Sequence, residues 1–193
     1  MRACILVASA QKKDTSSTSG MQSTTATSTL FPRRIAEVVP ERMAAMTTAI
    51  LARDFASFAK LTMRDSNSFH AVCLDTYPPI FYMNDISRAA VRLVERVNAA
   101  AGRTVCAYTY DAGPNTVIYY LEADTSAVLP AVRAALSKGT EGYNGLPSTT
   151  TKVEIPENLR EVLSHGIQRV ILTKVGDGPQ ATQESVLDAR GFP

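Results

Sequence analysis

Residues 85–121, DISRAAVRLVERVNAAAGRTVCAYTYDAGPNTVIYYL, place a helix signal directly before two strand signals. Asp85 suits the start of a helix, and Gly102 suits its end. Runs rich in β-branched and aromatic residues follow at 104–110 and 116–121, which predicts two strands joined by a compact loop. The helix signal is an apolar stripe at helical spacing, which consists of Ile86, Ala90, Leu93, Val94, Val97 and Ala101.

The same two signals continue on both sides of this stretch. Short apolar runs predict further strands near residues 2–8 and 168–172. Apolar spacing of three and four residues predicts helices within 31–75, where Asp54 is a candidate cap, and over 125–137. The fold class we expect is therefore α+β, with helices layered on a mainly antiparallel sheet.

Length and composition predict one packed domain. The chain has 193 residues, of which 45% are hydrophobic, so a large core is possible without disulfides or metal. The formal net charge of +2 is too small to favour a nucleic acid or a membrane surface as partner. Basic residues nevertheless exceed acidic ones by five in residues 1–64, so this third of the chain suits an anion.

The cysteines and histidines argue against a metal site. Cys4, Cys73 and Cys106 lack metal-ligand spacing and are odd in number, which is typical of buried thiols in a reducing compartment. The sequence holds only two histidines and no CxxC motif. No apolar run has the roughly 18 residues of a membrane span. We therefore expect a cytoplasmic protein, with a peroxisomal or related organelle as the alternative.

Two segments are crowded with Ser, Thr and Gly. Composition favours a flexible linker over residues 14–29. The alternative is a helix capped by Asp14 or a serine, in which hydroxyls and N–H groups form an anion-binding cup. Residues 139–151 predict a mobile surface loop.

Two polar segments each have a structural and a functional interpretation. Residues 65–70, DSNSFH, either satisfy helix-end groups or form a polar wall of a cleft. Residues 111–115, DAGPN, contain the residue types that form turns, and Asp111 can bond the backbone two residues on. A carboxylate at a strand end also stands where sites are often built. Local sequence leaves both pairs of interpretations open.

Several catalytic motifs are missing. The sequence has no Walker loop, no GxGxxG and no nucleophile elbow, and a serine-hydrolase triad would have to use His70 or His165. His70 lies beside Phe69 in a helical pattern, which is more typical of a core or capping histidine than of a ligand.

Four separated motifs closely resemble the mevalonate diphosphate decarboxylase family of the GHMP kinase superfamily. They occur in the family's order, and the resemblance extends from Met1 to near the C-terminus. The motifs are DTSSTSGM at 14–21, DSNSFHA at 65–71, PPIFYMN at 78–84 and AYTYDAGPN at 107–115.

The resemblance implies a reaction and a set of site residues. The reaction is ATP-dependent decarboxylation of mevalonate 5-diphosphate to isopentenyl diphosphate, with release of ADP, phosphate and carbon dioxide. The family's catalytic aspartate corresponds to Asp111. Its diphosphate contacts in this half correspond to Ser16, Ser17 and Thr18. A homodimer and Mg²⁺ with the ATP are also implied.

The resemblance further implies that residues 1–193 are a C-terminal domain alone, since no Gly/Ser-rich ATP phosphate loop is present. We expect ATP with Mg²⁺ to be bound mainly by the missing N-terminal domain, and this chain alone to be inactive. The alternative hypothesis is a non-catalytic α+β binding or dimerisation module in which Asp111 only forms a turn.

Overall fold

A four-stranded antiparallel sheet forms the centre of the computed structural model, which describes residues 1–8, 15–179, 181–182 and 185–192. Asp14, a candidate cap, lies outside the described residues. The strands are β1 (Arg2–Val7), β2 (Cys106–Thr109), β3 (Thr116–Tyr120) and β4 (Arg169–Lys174). The strand order is β2-β3-β1-β4, so β2 and β4 form the edges.

Helices α4 (Phe55–Asp75) and α5 (Asp85–Ala101) contact the sheet at β2. A π-helical turn, Arg34–Val38, joins α2 (Phe31–Arg33) to α3 (Val39–Leu51), the helix that contains Pro40. Because proline has no N–H, it cannot continue the regular bonding pattern, and the widened turn accommodates it. The helices are α1 (Ser17–Thr27), α2 (Phe31–Arg33), α3 (Val39–Leu51), α4 (Phe55–Asp75), α5 (Asp85–Ala101), α6 (Thr125–Ala135) and α7 (Glu157–Gly166).

The main core lies between the sheet and helices α5, α6 and α7. Helix α5 contacts both α6 and α7 as well as β2. Burial of this apolar face is the main source of stability, at roughly 25 cal/mol for each Å² removed from water. Side chains that are almost fully buried here are Leu6, Leu93, Val94, Ile118, Val128, Val132 and Leu163.

Local signals set the two ends of α5. The Asn84 side chain accepts the Ser87 N–H at 3.1 Å, and the Ser87 hydroxyl accepts the Asn84 N–H at 3.3 Å, which completes a capping box. Gly102 ends the helix with a φ of 66°, a left-handed conformation that glycine adopts without strain. The predicted helix and the α+β fold class are confirmed.

Hydroxyl groups attach α1 to the end of α4. Thr24 and Thr76 share a buried hydrogen bond of 2.8 Å, and the Ser28 hydroxyl donates to Asp75 Oδ2 at 2.8 Å. The Thr27 hydroxyl accepts the Tyr77 N–H at 2.8 Å. The Ser/Thr-rich segment is therefore a docked helix, and the linker interpretation is wrong.

The other Ser/Thr-rich segment also differs from its prediction. Tyr143 and Leu146 are buried in the main core, and the Arg133 guanidinium donates to the carbonyl oxygens of both residues. Residues 139–146 are thus partly buried against the domain rather than forming a surface loop. None of the helices in the described part of the chain has the length and apolar character that a membrane crossing requires.

Candidate active site

Asp111 follows β2 at the start of the loop that leads to β3. Its carboxylate accepts the Ala112 N–H at 2.7 Å, and its carbonyl accepts the Gly113 N–H at 2.7 Å. The side chain is exposed and borders clefts on two flanks. Turn formation and a cleft-facing carboxylate therefore coexist at Asp111.

Tyr110 anchors the peptide that precedes Asp111. Its N–H donates to the Ser66 hydroxyl at 3.1 Å, and its phenol donates to the Ser87 carbonyl at 2.7 Å while accepting from the Thr116 hydroxyl at 2.8 Å. All three bonds are buried. Burial raises the pKa of the Tyr110 phenol, so it remains protonated at neutral pH.

The far side of the loop is anchored as well. The Ser87 hydroxyl donates to the Pro114 carbonyl at 2.9 Å, and Asn115 Oδ1 accepts the Ala8 N–H at 2.9 Å. These bonds tie the loop to α5 and to the end of β1. Asp111 is consequently held between two fixed flanks.

The first turn of α1 forms the opposite wall. Ser16 is the N-cap residue, because its hydroxyl accepts the Ser19 N–H at 3.1 Å. Ser17 is exposed and lines the same cleft as Asp111, whereas Ser16 and Thr18 are exposed beside it without lining it. Of the three predicted serine-turn residues, the structure brings Ser17 to the cleft with Asp111.

This cleft has a volume of about 300 Å³ and a mostly apolar floor. Gly20 lets α1 approach the floor closely, since a Cβ at that position would overlap the Tyr82 hydroxyl. The Phe69 and Tyr82 rings are parallel, with centroids 6.5 Å apart. The floor is formed by Phe69, Val72, Cys73, Ile80 and Tyr82.

A second cleft of about 420 Å³ lies on the other flank and shares Asp111, Phe69 and Arg34 with the first. Asp65 and Ser66 line this second cleft from the middle of α4. Three residues of the segment 65–70, namely Asp65, Ser66 and Phe69, therefore form part of a cleft wall, and the segment lies too far from the ends of α4 to satisfy its end groups.

Arg34 stands between the clefts and was not predicted from the sequence. Its guanidinium forms two bonds of 2.9 Å with the Asp65 carboxylate, and Arg42 adds a third at 3.0 Å. Burial alone raises the pKa of Asp65, but the bonds from the two arginines outweigh it and hold that pKa below its usual value. Arg34 and Arg42 thus face the Asp65 carboxylate, while Asp111 lines the same cleft, so the charged residues of this cleft balance.

The remaining titratable groups of the cleft are buried and neutral. His70 is buried beside the rings of Phe69, Tyr82 and Tyr110, and burial lowers its pKa. Burial raises the pKa of the Cys73 thiol to about 11. Within residues 1–8, 15–179, 181–182 and 185–192, no three His, Cys, Asp or Glu side chains are grouped so that they could hold a metal ion. His70 is a core histidine, as the sequence predicts.

One protein family matches both walls of the cleft and the sheet behind them. Its model, described as the mevalonate 5-diphosphate decarboxylase C-terminal domain, matches residues 3–182. The chain belongs to the mevalonate 5-diphosphate decarboxylase family. The resemblance carried by the four sequence motifs is confirmed.

Individual members of the decarboxylase family agree with this assignment. The chain is 58% identical over 200 residues to diphosphomevalonate decarboxylase mvd1 of Aspergillus fumigatus, covering 99% of this chain and 50% of that protein. An X-ray structure of mevalonate 5-diphosphate decarboxylase superposes with a TM-score of 0.85 at 44% identity, over 99% of this chain and 51% of its own. The chain thus spans about half the length of these relatives.

A more distant decarboxylase structure is described as MDDEF in complex with MVAPP, AMPPCP and magnesium. It superposes with a TM-score of 0.62 at 25% identity, over 68% of this chain and 39% of its own. That relative therefore binds a nucleotide analogue with magnesium.

Proposed function

We propose that this chain forms one half of the active site of an ATP-dependent decarboxylase, a carboxy-lyase that converts mevalonate 5-diphosphate to isopentenyl diphosphate, ADP, phosphate and carbon dioxide. The observation that carries the proposal is that Asp111 and Ser17, which lie far apart in the sequence, line one cleft. Membership of the decarboxylase family supplies the reaction.

The chemistry explains the need for a fixed carboxylate. A tertiary alcohol leaves poorly, so ATP first phosphorylates the C3 hydroxyl, and loss of that phosphate develops positive charge at C3. The bond to the carboxylate then breaks, carbon dioxide leaves, and its electron pair forms the alkene. Asp111 accepts or orients the hydroxyl proton and stabilises the positive charge.

The first turn of α1 suits the diphosphate. Ser19 gives its N–H to the Ser16 cap, while the amides of Ser17 and Thr18 lie in the turn where a helix offers no internal carbonyl partner. These amides, the Ser17 hydroxyl and the helix dipole complement phosphate oxygens. Arg34 adds positive charge nearby. The proposed substrate-binding residues are Ser16, Ser17 and Thr18, with Ser16 acting through the cap.

ATP and Mg²⁺ do not fit the described residues of this chain. The sequence has no phosphate loop, and the described part has no cluster of metal ligands. We propose that the part of the enzyme outside residues 1–193 binds most of the ATP with its Mg²⁺. Support comes from the relative in complex with AMPPCP and magnesium and from the chain's span of half its relatives.

The proposal includes a homodimer in the cytoplasm. Exposed apolar side chains on α3, namely those of Met43, Ile50 and Leu51, support contact with a second copy. The free and buried thiols of Cys4, Cys73 and Cys106 suit a reducing compartment. Sedimentation equilibrium of the active enzyme tests the dimer.

Asp111→Asn tests the catalytic assignment. The assay uses the joined enzyme, meaning this chain fused to the part of the Aspergillus fumigatus relative that it does not match. Asparagine keeps the oxygen that accepts the Ala112 N–H but removes the charge and the proton acceptor. We expect at least ~100-fold lower turnover, the lower end for general acid–base catalysis, with an unchanged melting temperature and ATP affinity.

The controls separate catalysis from folding. The 193-residue chain alone is expected to release no carbon dioxide, because half a cleft cannot hold the reactants in place. Near-normal turnover of the Asp111→Asn enzyme, or no turnover of the unsubstituted joined enzyme, contradicts the proposal.

A further inference from the structure

Two buried serines, Ser66 on α4 and Ser87 on α5, bond to the backbone on the two flanks of Asp111. Each is at most 5% exposed. Ser66 accepts the N–H of Tyr110, directly before Asp111, and Ser87 donates to the carbonyl of Pro114, three residues after it. Neither serine is a member of the predicted substrate contacts. Both bonds join a helix to the loop that carries the carboxylate.

Ser66 has the more informative position of the two. It lies in the interior of α4, where serine has no capping role. Tyr110 follows the last residue of β2, which is an edge strand, so no strand among the described residues lies on its outer side. The Ser66 hydroxyl accepts the Tyr110 N–H, which in a wider sheet would donate to the next strand. His70, one turn along the same face of α4, packs edge-on against the Tyr110 ring, with the two ring centroids 6.1 Å apart.

We infer that Ser66 is a positioning residue for Asp111, acting through the Tyr110 peptide. This inference rests on the proposed catalytic role of Asp111. Reaction between groups held by an enzyme is sensitive to small displacements, and a shift of about 1 Å can lower the rate by ~100-fold. Loss of the Ser66 bond frees one side of the Tyr110 peptide while the Tyr110 phenol remains anchored to Ser87 and Thr116. The expected effect is therefore smaller than removal of the carboxylate.

The test compares Ser66→Ala with Ser66→Thr and with Thr140→Val in the joined enzyme. Thr140 is a matched control, because it is 7% exposed and its hydroxyl bonds the Ile167 carbonyl rather than either wall of the cleft. For Ser66→Ala we expect a turnover number about 10-fold lower, with an unchanged KM for mevalonate 5-diphosphate because Ser17 is untouched. Threonine keeps the hydroxyl and restores turnover, while Thr140→Val leaves it unchanged.

A double variant distinguishes positioning from general loss of structure. If Ser66 acts through Asp111, Ser66→Ala lowers turnover no further in an Asp111→Asn background. Equal turnover of the Ser66→Ala and Thr140→Val enzymes, or a full additional loss in the double variant, overturns the inference while leaving the role of Asp111 intact. Near-normal turnover of Asp111→Asn overturns the proposed function and this inference together.

Discussion

The two walls of the cleft are held by different kinds of contact. Asp111 belongs to the sheet side, where α5 alone buries six residues against the core. Ser17 belongs to α1, which buries two residues, and the neighbouring α3 buries one. Hydroxyl bonds such as Thr24 to Thr76 hold α1 in place. The Asp111 carboxylate thus has a support that apolar burial stabilises. The α1 wall, which is proposed to bind the diphosphate, is held by a few polar bonds and by the close contact of Gly20 with Tyr82.

This difference matters for mechanism because the two walls have different tasks. A group that meets one hydroxyl requires a rigid support, and the dense packing around β2 and α5 provides it. A helix N-terminus binds phosphate through several donors and tolerates a less extensive support. Variants on the two sides should therefore differ in whether they change stability or binding.

The largest expected effect is on the sheet side. Leu93 is 1% exposed on α5, so Leu93→Ala should lower the free energy of unfolding by about 2–5 kcal/mol through lost burial and a cavity. Met21 on α1 is 63% exposed, and Met21→Ala should change the free energy of unfolding by less than about 0.5 kcal/mol. Urea unfolding of the 193-residue chain measures both. Similar losses of unfolding free energy in the two variants would show that the two sides are packed equally well.

A smaller effect is expected where α1 approaches the cleft floor. Alanine normally favours a helix over glycine by about 1 kcal/mol, but a Cβ at Gly20 would overlap the Tyr82 hydroxyl. Gly20→Ala should therefore destabilise the chain by about 1–3 kcal/mol. In a Tyr82→Phe background, which lacks that hydroxyl, the same change should cost much less. If Gly20→Ala destabilises the Tyr82→Phe chain just as much, the added Cβ clashes with a group other than the Tyr82 hydroxyl.

The smallest effects separate two adjacent serines. Ser16→Ala removes the α1 cap and should cost about 1 kcal/mol of stability, while Ser17→Ala should cost only a few tenths because its hydroxyl is exposed. In the joined enzyme, Ser17→Ala should raise the KM for mevalonate 5-diphosphate. Thermal unfolding with steady-state kinetics tests both statements. If only Ser17→Ala lowers stability and its kinetics are unchanged, Ser17 rather than Ser16 caps the helix, and Ser17 does not bind the substrate.

The sequence predicted the sheet side well because its signals are local. Each signal acts within a few residues of its own position; the signals are the apolar stripe of α5, Gly102 and the turn residues at 111–115. The helix has the predicted bounds Asp85–Ala101. The strands are confirmed with ends that differ slightly, since β2 spans Cys106–Thr109 within the predicted 104–110. Asp54 also caps α4 as predicted. Capping, turn formation and apolar periodicity need no distant partner.

The helical side was less predictable because its residues are satisfied by distant groups. Composition favoured a linker over 14–29, yet the hydroxyls there bond Asp75, Thr76 and Tyr77 at the end of α4. Nothing within the segment indicates those partners. The same holds for residues 139–146, whose apolar side chains Tyr143 and Leu146 reach the core.

Sequence alone therefore determined the fold class, the family, and Asp111 and Ser17 as individual candidates. Only the tertiary structure decided that these two residues line one cleft, that Arg34 stands beside them with Asp65, and that Ser66 holds the peptide before Asp111. The physical reason is the range of the interactions. Periodicity and caps operate along the chain, whereas a cleft is made by side chains that are brought together only when helices dock on the sheet.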